Sequence, residues 1–403
     1  MERAKLILKP REDARIRAGH PWVYDNEIAS IDGEASAGTE VEVLDCRRKT
    51  LGSAFYNPKS KIRARIFSRK PREADEAFFA EALGAALAYR RRFFDPDRQS
   101  LRLAFGEADG LPGLIVDSFV GEAEGSGRRG RWLSIQFLSL GVDARKAQVL
   151  AALGRVFPSD GTVERSDAPV RALEGIPPFA GPLSGEVPAR INIEENGLRF
   201  GADLLGGQKT GWFLDQRSNR AAAARYAKGR RVLDAFCNAG GFGLACAAAG
   251  AGSVLAVDSS AGAVAAVASN AALNGLEPLV EAREANAFDL LHELERSREK
   301  FGLVILDPPA FAKNRASVEG AKRGYKELNL RALRLLGEGG VLVTCSCSHW
   351  FGRELFARTL EEAAADSGRR IRLLEERTQD LDHPIVSGYG ESRYLKCVIA
   401  ETI

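Results

Sequence analysis

Cysteine and histidine are scarce in this chain of 403 residues, and their spacing excludes several chemistries at once. The six cysteines (Cys46, Cys237, Cys246, Cys345, Cys347, Cys397) form no CxxC pair, which argues against a zinc knuckle or a thioredoxin-like motif. The four histidines (His20, His292, His349, His383) are not spaced as a ligand pair, so no metal site is expected. No apolar run approaches the roughly 20 residues that span a bilayer, and Met-Glu-Arg-Ala-Lys lacks the apolar core of a signal peptide. A cytoplasmic protein with free thiols and no membrane partner is the expectation. A strong charge of one sign is missing too, since the net charge is only +3. Its distribution is uneven, however. Residues 1–72 hold 16 Lys/Arg against 10 Asp/Glu, a surplus of six, so the remainder carries about −3. A small basic domain beside a near-neutral one fits contact with nucleic-acid phosphates, with Arg63 and Arg65 as candidates. A merely solvated face is the plainer alternative.

What is present is the balance of a soluble globular protein, 45% apolar and 28% charged, with length enough for two or three domains. Residues 1–72 read as short strands at Lys5–Lys9, Glu40–Asp45, Thr50–Tyr56 and Arg63–Phe67, with alternation such as Val41-Glu42-Val43-Leu44, and predict a compact β-barrel. Phe78, Leu83 and Leu87 give 74–94 an amphipathic helical pattern. A second small α+β unit follows over 73–188. Its strands are expected at 101–105, 113–119, 131–138 and near 161–165, its helix at 143–156, and a hairpin loop at Gly121–Gly130. The proline-rich stretch 175–188 reads as its linker. From 189 to 403 strand-like runs (Arg231–Phe236, Val254–Asp258, Leu303–Asp307, Val341–Cys345, Tyr394–Ile399) alternate with helical ones. Such alternation predicts an α/β domain with a mostly parallel sheet covered on both faces.

The run Val232–Gly243 is a strand, a glycine-containing turn and a helix start. A phosphate cradle is the first rival reading, but GxGxxG spacing and GK[ST] are both absent. Asp234, just before the turn, would repel a phosphate and suits a ligand that carries an ammonium. Phe236, Asn238, Gly240 and Gly241 are the turn's candidate cofactor-binding residues. Asp258 ends the next strand, where a carboxylate can accept from ribose hydroxyls, and Asn286, after the third strand, can pair with an adenine edge. Taken singly, Asp258 reads as a helix cap and Asn286 as a turn residue. In order along the strand ends they favour an adenosyl ligand.

Asp307-Pro308-Pro309 places a carboxylate at the end of a central strand, followed by a rigid loop short of two N–H donors. Its free carbonyls suit a base's exocyclic amine. Cys345 and Cys347 end the next strand. Most strand cysteines are small buried hydrophobes, but a thiolate is a soft nucleophile. Carbon 5 of cytosine becomes reactive only when a thiolate adds at C6, which is chemistry that Cys347 can supply with Asp307 holding the N3/N4 edge.

Leu8-Lys9-Pro10 with Gly19-His20-Pro21-Trp22-Val23-Tyr24, Gly106-Glu107-Ala108-Asp109-Gly110-Leu111-Pro112-Gly113-Leu114, and Gly207-Gln208-Lys209-Thr210-Gly211-Trp212-Phe213-Leu214-Asp215-Gln216-Arg217 resemble signatures of one family. It is the PUA-containing large-subunit ribosomal RNA cytosine-C5 methyltransferases, and the resemblance covers nearly the whole chain. It implies an N-terminal PUA domain (1–72), a central domain (73–188) and a Rossmann-like class I methyltransferase domain (189–403). It further implies S-adenosylmethionine as cofactor, large-subunit ribosomal RNA as partner and Cys347 as nucleophile. Asp215, Gln216 and Arg217 would help enclose the cofactor's methionine end; alternatively Lys209, Asp215 and Arg217 form a purely structural ion cluster. Asn286 stands where the family usually has an acidic residue. No cysteine adjoins Asp307-Pro308-Pro309, and the base that removes the C5 proton is unassigned. Methylation of a base nitrogen by the DPP loop and a non-catalytic RNA-binding assembly role are the open alternatives, and a homodimer is left open.

Overall fold

The computed structural model describes residues 3–207 and 210–403, so Gln208 and Lys209 lie outside the described residues. These divide into two compact units. One comprises 3–194, 202–214 and 381–392; the other comprises 195–201, 215–380 and 393–403. No helix among the described residues is long and apolar enough to cross a membrane.

In the first unit, residues 4–68 build a six-stranded sheet in the order Trp22–Tyr24, Ile62–Ser68, Thr50–Tyr56, Glu40–Leu44, Ala4–Leu8, Ile28–Asp32. Leu6, Leu8, Val23, Val41, Val43, Ala54 and Ile66 fill its core. Trp22–Tyr24 and Ile28–Asp32 were not expected. The first is three residues long, and Ile28-Ala29-Ser30-Ile31-Asp32 does not alternate. Arg65 corrects the expectation of a nucleic-acid contact. It is buried over the Trp22 ring, with ion pairs to Glu107 at 2.6 Å and Glu174 at 3.0 Å. Two carboxylates hold this guanidinium charged against the cost of its burial. Its charge is spent inside the protein.

The adjoining α+β layer starts with a helix at Glu76–Arg90, whose first turn Asp75 caps by accepting from Phe78 N at 2.8 Å. Leu114–Ala123 and Arg129–Phe137 form a long antiparallel hairpin, so the expected loop shrinks to five residues. The supposed linker is corrected as well: Phe179–Gly185 is an edge strand antiparallel to Gly161–Ser166. Pro182 is tolerated there because an edge strand has one ladder without a partner. The segment 381–392 belongs to this same unit, although the residues on either side of it in sequence belong to the other. Asp382 accepts from Arg102 N at 2.8 Å, and its carbonyl accepts from Arg90 at 2.8 Å. His20 and Trp22 meet Tyr389 edge-on.

The second unit is a doubly wound sheet. Its strands are β1 (Arg231–Ala235), β2 (Ser253–Asp258), β3 (Val280–Glu284), β4 (Phe301–Leu306), β5 (Leu336–Ser346), β6 (Ile371–Arg377) and β7 (Lys396–Thr402). Their order is β3-β2-β1-β4-β5-β7-β6, with β7 antiparallel to both β5 and β6. Helices α1 (Arg217–Ala224), α2 (Gly241–Ala248) and α3 (Ala261–Leu273) bury Ala223, Phe242 and Val267 with Val232, Ile305, Cys345 and Cys397. On the opposite face α4 (Ala287–Arg296), α5 (Val318–Leu335) and α6 (Arg353–Asp366) bury Leu291, Tyr325 and Phe356 with Leu233, Val304 and Leu342. Successive strand residues thus serve opposite layers, as a strand's period of two requires. The strand order reverses between β1 and β4, and the C-terminal ends beside that point are where open α/β sheets bind ligands.

Candidate active site

Apart from Asp215, Gln216 and Arg217, the second unit's candidate residues lie at the C-terminal ends of five of its strands, β1 to β5. After β1 the chain turns through left-handed conformations at Phe236 (φ 63°), Asn238 (φ 48°) and Gly240 (φ 83°). Two of these are not glycine, a strain retained where a turn must hold one shape. Gly240 caps α2, and a Cβ added at Gly241 would lie 2.6 Å from Arg220 Nε, so that side chain would have to shift.

Asp234 is 1% exposed, and its Oδ2 accepts from Gly243 N at 2.7 Å. Its Oδ1 is buried without a hydrogen-bond partner. Burial, with the negative charges of Asp307 and Asp258 nearby, pushes this carboxyl up to about 7. The Gly243 N–H and Arg220 work in the other direction. An orphaned carboxylate oxygen under a glycine turn is a receptor for positive charge.

Asp258, at the end of β2, is half-buried. One oxygen accepts from Asn238 N and the other from Ser260 N, both at 3.0 Å, so this side chain braces the turn after β1. The cap of α3 is Ser260, not Asp258. Asn286 caps α4, its Oδ1 accepting from Phe288 N at 2.9 Å. Phe288 and Phe311, with ring centroids 6.1 Å apart, line a cavity of ≈ 570 Å³ together with Ala316, Gly320 and Arg323. The cavity beside these two rings has room for a planar heteroaromatic ring.

Asp215, Gln216 and Arg217 are all buried and engaged within the unit. Tyr394 OH donates to Asp215 at 2.6 Å, and Gln216 accepts from Asn219 at 2.6 Å and hydrogen-bonds Cys345. Arg217 pairs with Asp380 at 3.8 Å.

The ends of β4 and β5 are tied together. Asp307 N donates to Ala235 O at 3.5 Å, which holds the carboxylate's backbone to the end of β1. Past the two prolines, Ala312 N donates to Ser348 Oγ at 3.1 Å. Ser348 shares a 2.9 Å hydrogen bond with Tyr325 OH, which accepts from Ser346 Oγ at 2.9 Å. A buried tyrosine from α5 thereby fixes the DPP loop against the cysteine strip. The cysteines now separate by environment. Burial drives the Cys237 and Cys246 thiols well up. Cys345 is also driven up, by its hydrogen bond with Cys397 and by burial. Of the unit's five cysteines only Cys347 escapes full burial.

The second half of the chain matches the S-adenosylmethionine-dependent methyltransferase family over residues 178–387, and residues 6–69 match a PUA-like domain. Ribosomal RNA large subunit methyltransferase I of Alteromonas mediterranea is 37% identical over 401 residues, covering 99% of this chain and 98% of the relative. The protein of the same name from Escherichia coli K12 is 38% identical over 395 residues, 97% of each chain. The chain belongs to the ribosomal RNA large subunit methyltransferase I family. Among solved structures, a Streptococcus mutans protein described as a SAM-dependent methyltransferase superposes with a TM-score of 0.83 at 21% identity, over 98% of this chain and 99% of that one. A methyltransferase complexed with SAH gives 0.84 at 21% identity with the same coverage. Both show the shared fold.

The family's cofactor is S-adenosylmethionine, and the site's own atoms fit it. The orphaned Asp234 Oδ1 suits a cationic methionine end, and the cavity beside Phe288 and Phe311 suits an adenine ring. Three contributors escaped sequence reasoning: Tyr325, the Ser346/Ser348 pair and Lys396. For Lys396 there was a signal, a lysine inside the apolar run Tyr394–Ile399.

Proposed function

We propose that this enzyme methylates carbon 5 of a cytosine in large-subunit ribosomal RNA, through a transient covalent bond between Cys347 Sγ and the base. The coarser part, methylation of ribosomal RNA with S-adenosylmethionine, rests on near full-length similarity to relatives named for that substrate. The finer part rests on one observation. The half-buried cysteine of the catalytic unit is fastened by its neighbour Ser348 to the loop that follows Asp307.

The bound cofactor supplies an electrophilic methyl group. Cytosine C5 is too weak a nucleophile to take it unaided. The Cys347 thiolate adds to C6, the electron pair of the C5–C6 double bond shifts to C5, and C5 forms the new C–CH3 bond while the bond from that methyl to the donor sulfur breaks and its electron pair stays on the sulfur. Loss of the C5 proton returns a pair to re-form the double bond and expels the thiolate. Asp307, at the switch point of the sheet, holds the N3/N4 edge and favours the electron-poor base. Asp234, Asp258, Asn286 and the cavity beside Phe288 and Phe311 hold the cofactor. Phe236 and Asn238 shape the turn over it.

The experiment is transfer of labelled methyl to large-subunit RNA by wild type and Cys347→Ala, with nucleoside analysis of the product. The reading predicts 5-methylcytosine from wild type and at least a thousandfold loss in the variant. Full activity in Cys347→Ala, with a methyl group on a ring or exocyclic nitrogen, returns the chemistry to the DPP loop alone.

A further inference from the structure

Lys396, the first residue of β7, lies opposite Ser346 in the β5–β7 ladder and is 8% exposed. Its Nζ donates to the carbonyls of Ser348 at 2.7 Å and Tyr394 at 3.0 Å. An ammonium has three N–H groups, and two are thus placed. A buried cation ordinarily has a carboxylate partner, because the cost of desolvating it is otherwise uncompensated. Here none of the described residues provides one: the charged group whose field acts favourably on Lys396 is the sulfur of Cys347. Tyr325, from α5, is a further titratable group that feels the Cys347 sulfur, and burial holds its phenol neutral; Cys345 and Cys397, side by side in the same ladder, are fully buried.

We propose that Lys396 and Cys347 form an ammonium–thiolate pair, and that Lys396 is the positioning residue that keeps the sulfur in its nucleophilic form. The placement explains both halves of the arrangement. A lysine with two neutral acceptors has an unmet need for negative charge, and the adjoining thiol becomes that charge by giving up its proton. Burial pulls the lysine down to about 8, which leaves it charged at neutral pH but near the point where loss of its anion releases a proton. The same Lys396 fixes the Ser348 carbonyl, so the loop carrying the sulfur and its charge partner move as one. The inference rests on the proposed use of Cys347, but it can be measured without any methyl transfer.

The test is alkylation of Cys347 by iodoacetamide in the full chain from pH 6 to 9.5, read by peptide mass so that exposed Cys46 does not interfere. Lys396→Met removes the charge at similar volume. Its Cys347 profile is expected to shift upward by at least one pH unit, with Lys396→Arg lying near wild type. Superimposed wild-type and Lys396→Met profiles overturn the pair. Should Lys396→Met fail to fold, the reciprocal measurement decides. Cys347→Ser is expected to raise amine acylation of Lys396 at pH 7.5 severalfold, and unchanged acylation overturns the proposal. A Cys347→Ala enzyme that still methylates RNA would refute the covalent mechanism and leave the alkylation result standing separately.

Discussion

Asp234 is a carboxyl group buried under the first strand's turn with one oxygen unpaired, and its effect on stability has a definite sign. Its acidity constant rises from an ordinary 3.8 to about 7 in the folded chain. The unfolded chain therefore loses this proton near pH 4 while the folded one keeps it to about pH 7. The stability associated with Asp234 is complete below pH 4 and is lost as pH rises through 7. A rise of about three in pKa, at ~1.4 kcal/mol for each, amounts to about 4 kcal/mol. Asp234→Asn keeps an acceptor for Gly243 N–H and removes the titration. In urea unfolding without cofactor, the variant's stability minus wild type's should climb by about 4 kcal/mol between pH 4 and 7.5, whatever the offset from its new buried amide. Cofactor binding to wild type should also strengthen with pH below 7, approaching tenfold per pH unit, and Asn should abolish both the dependence and most of the affinity. Parallel stability curves for the two proteins would refute the reasoning, since they would mean that Asp234 ionises normally.

Two further expectations concern the basic N-terminal domain. Arg47 and Lys49 are exposed there, so Arg47→Ala/Lys49→Ala should weaken RNA binding, measured by filter binding. The dependence on log salt should flatten by roughly 0.7 for each phosphate that no longer meets a cationic side chain. Arg65→Met, by contrast, strands Glu107 and Glu174 without their cation and should cost about 3–5 kcal/mol, seen as a lowered Tm.

The catalytic unit was legible because its signals are local. β1, β2, β4 and the second half of β5 are apolar runs that end beside a candidate residue, and Gly240 supplies one of the left-handed positions in the turn after β1. What escaped depends on distance in sequence. Arg65 reads as a basic residue on an alternating strand, and nothing near it announces Glu107 or Glu174. Segment 381–392 joins the first unit through Asp382 and Tyr389, whose partners no periodicity encodes. The prolines of 175–188 marked a linker only because an edge strand tolerates Pro182. Asp258 and Asn286 fall at the ends of β2 and β3, but their side chains accept from backbone N–H groups, Asp258 from Asn238 and Ser260 and Asn286 from Phe288. Asp215, Gln216 and Arg217 turn inward to Tyr394, Asn219, Cys345 and Asp380. Helix and strand signals locate a residue, whereas its orientation is decided by partners hundreds of residues away.

In the proposed mechanism the Cys347 sulfur bonds to the base it helps to methylate. Large-subunit RNA carrying 5-fluorocytosine tests this directly, because fluorine at C5 cannot leave as a proton and the sulfur stays attached. With S-adenosylmethionine present, wild type should yield a denaturant-stable protein–RNA adduct whose mass maps to Cys347. Absence of any adduct, or an equal yield from Cys347→Ala, would contradict the account.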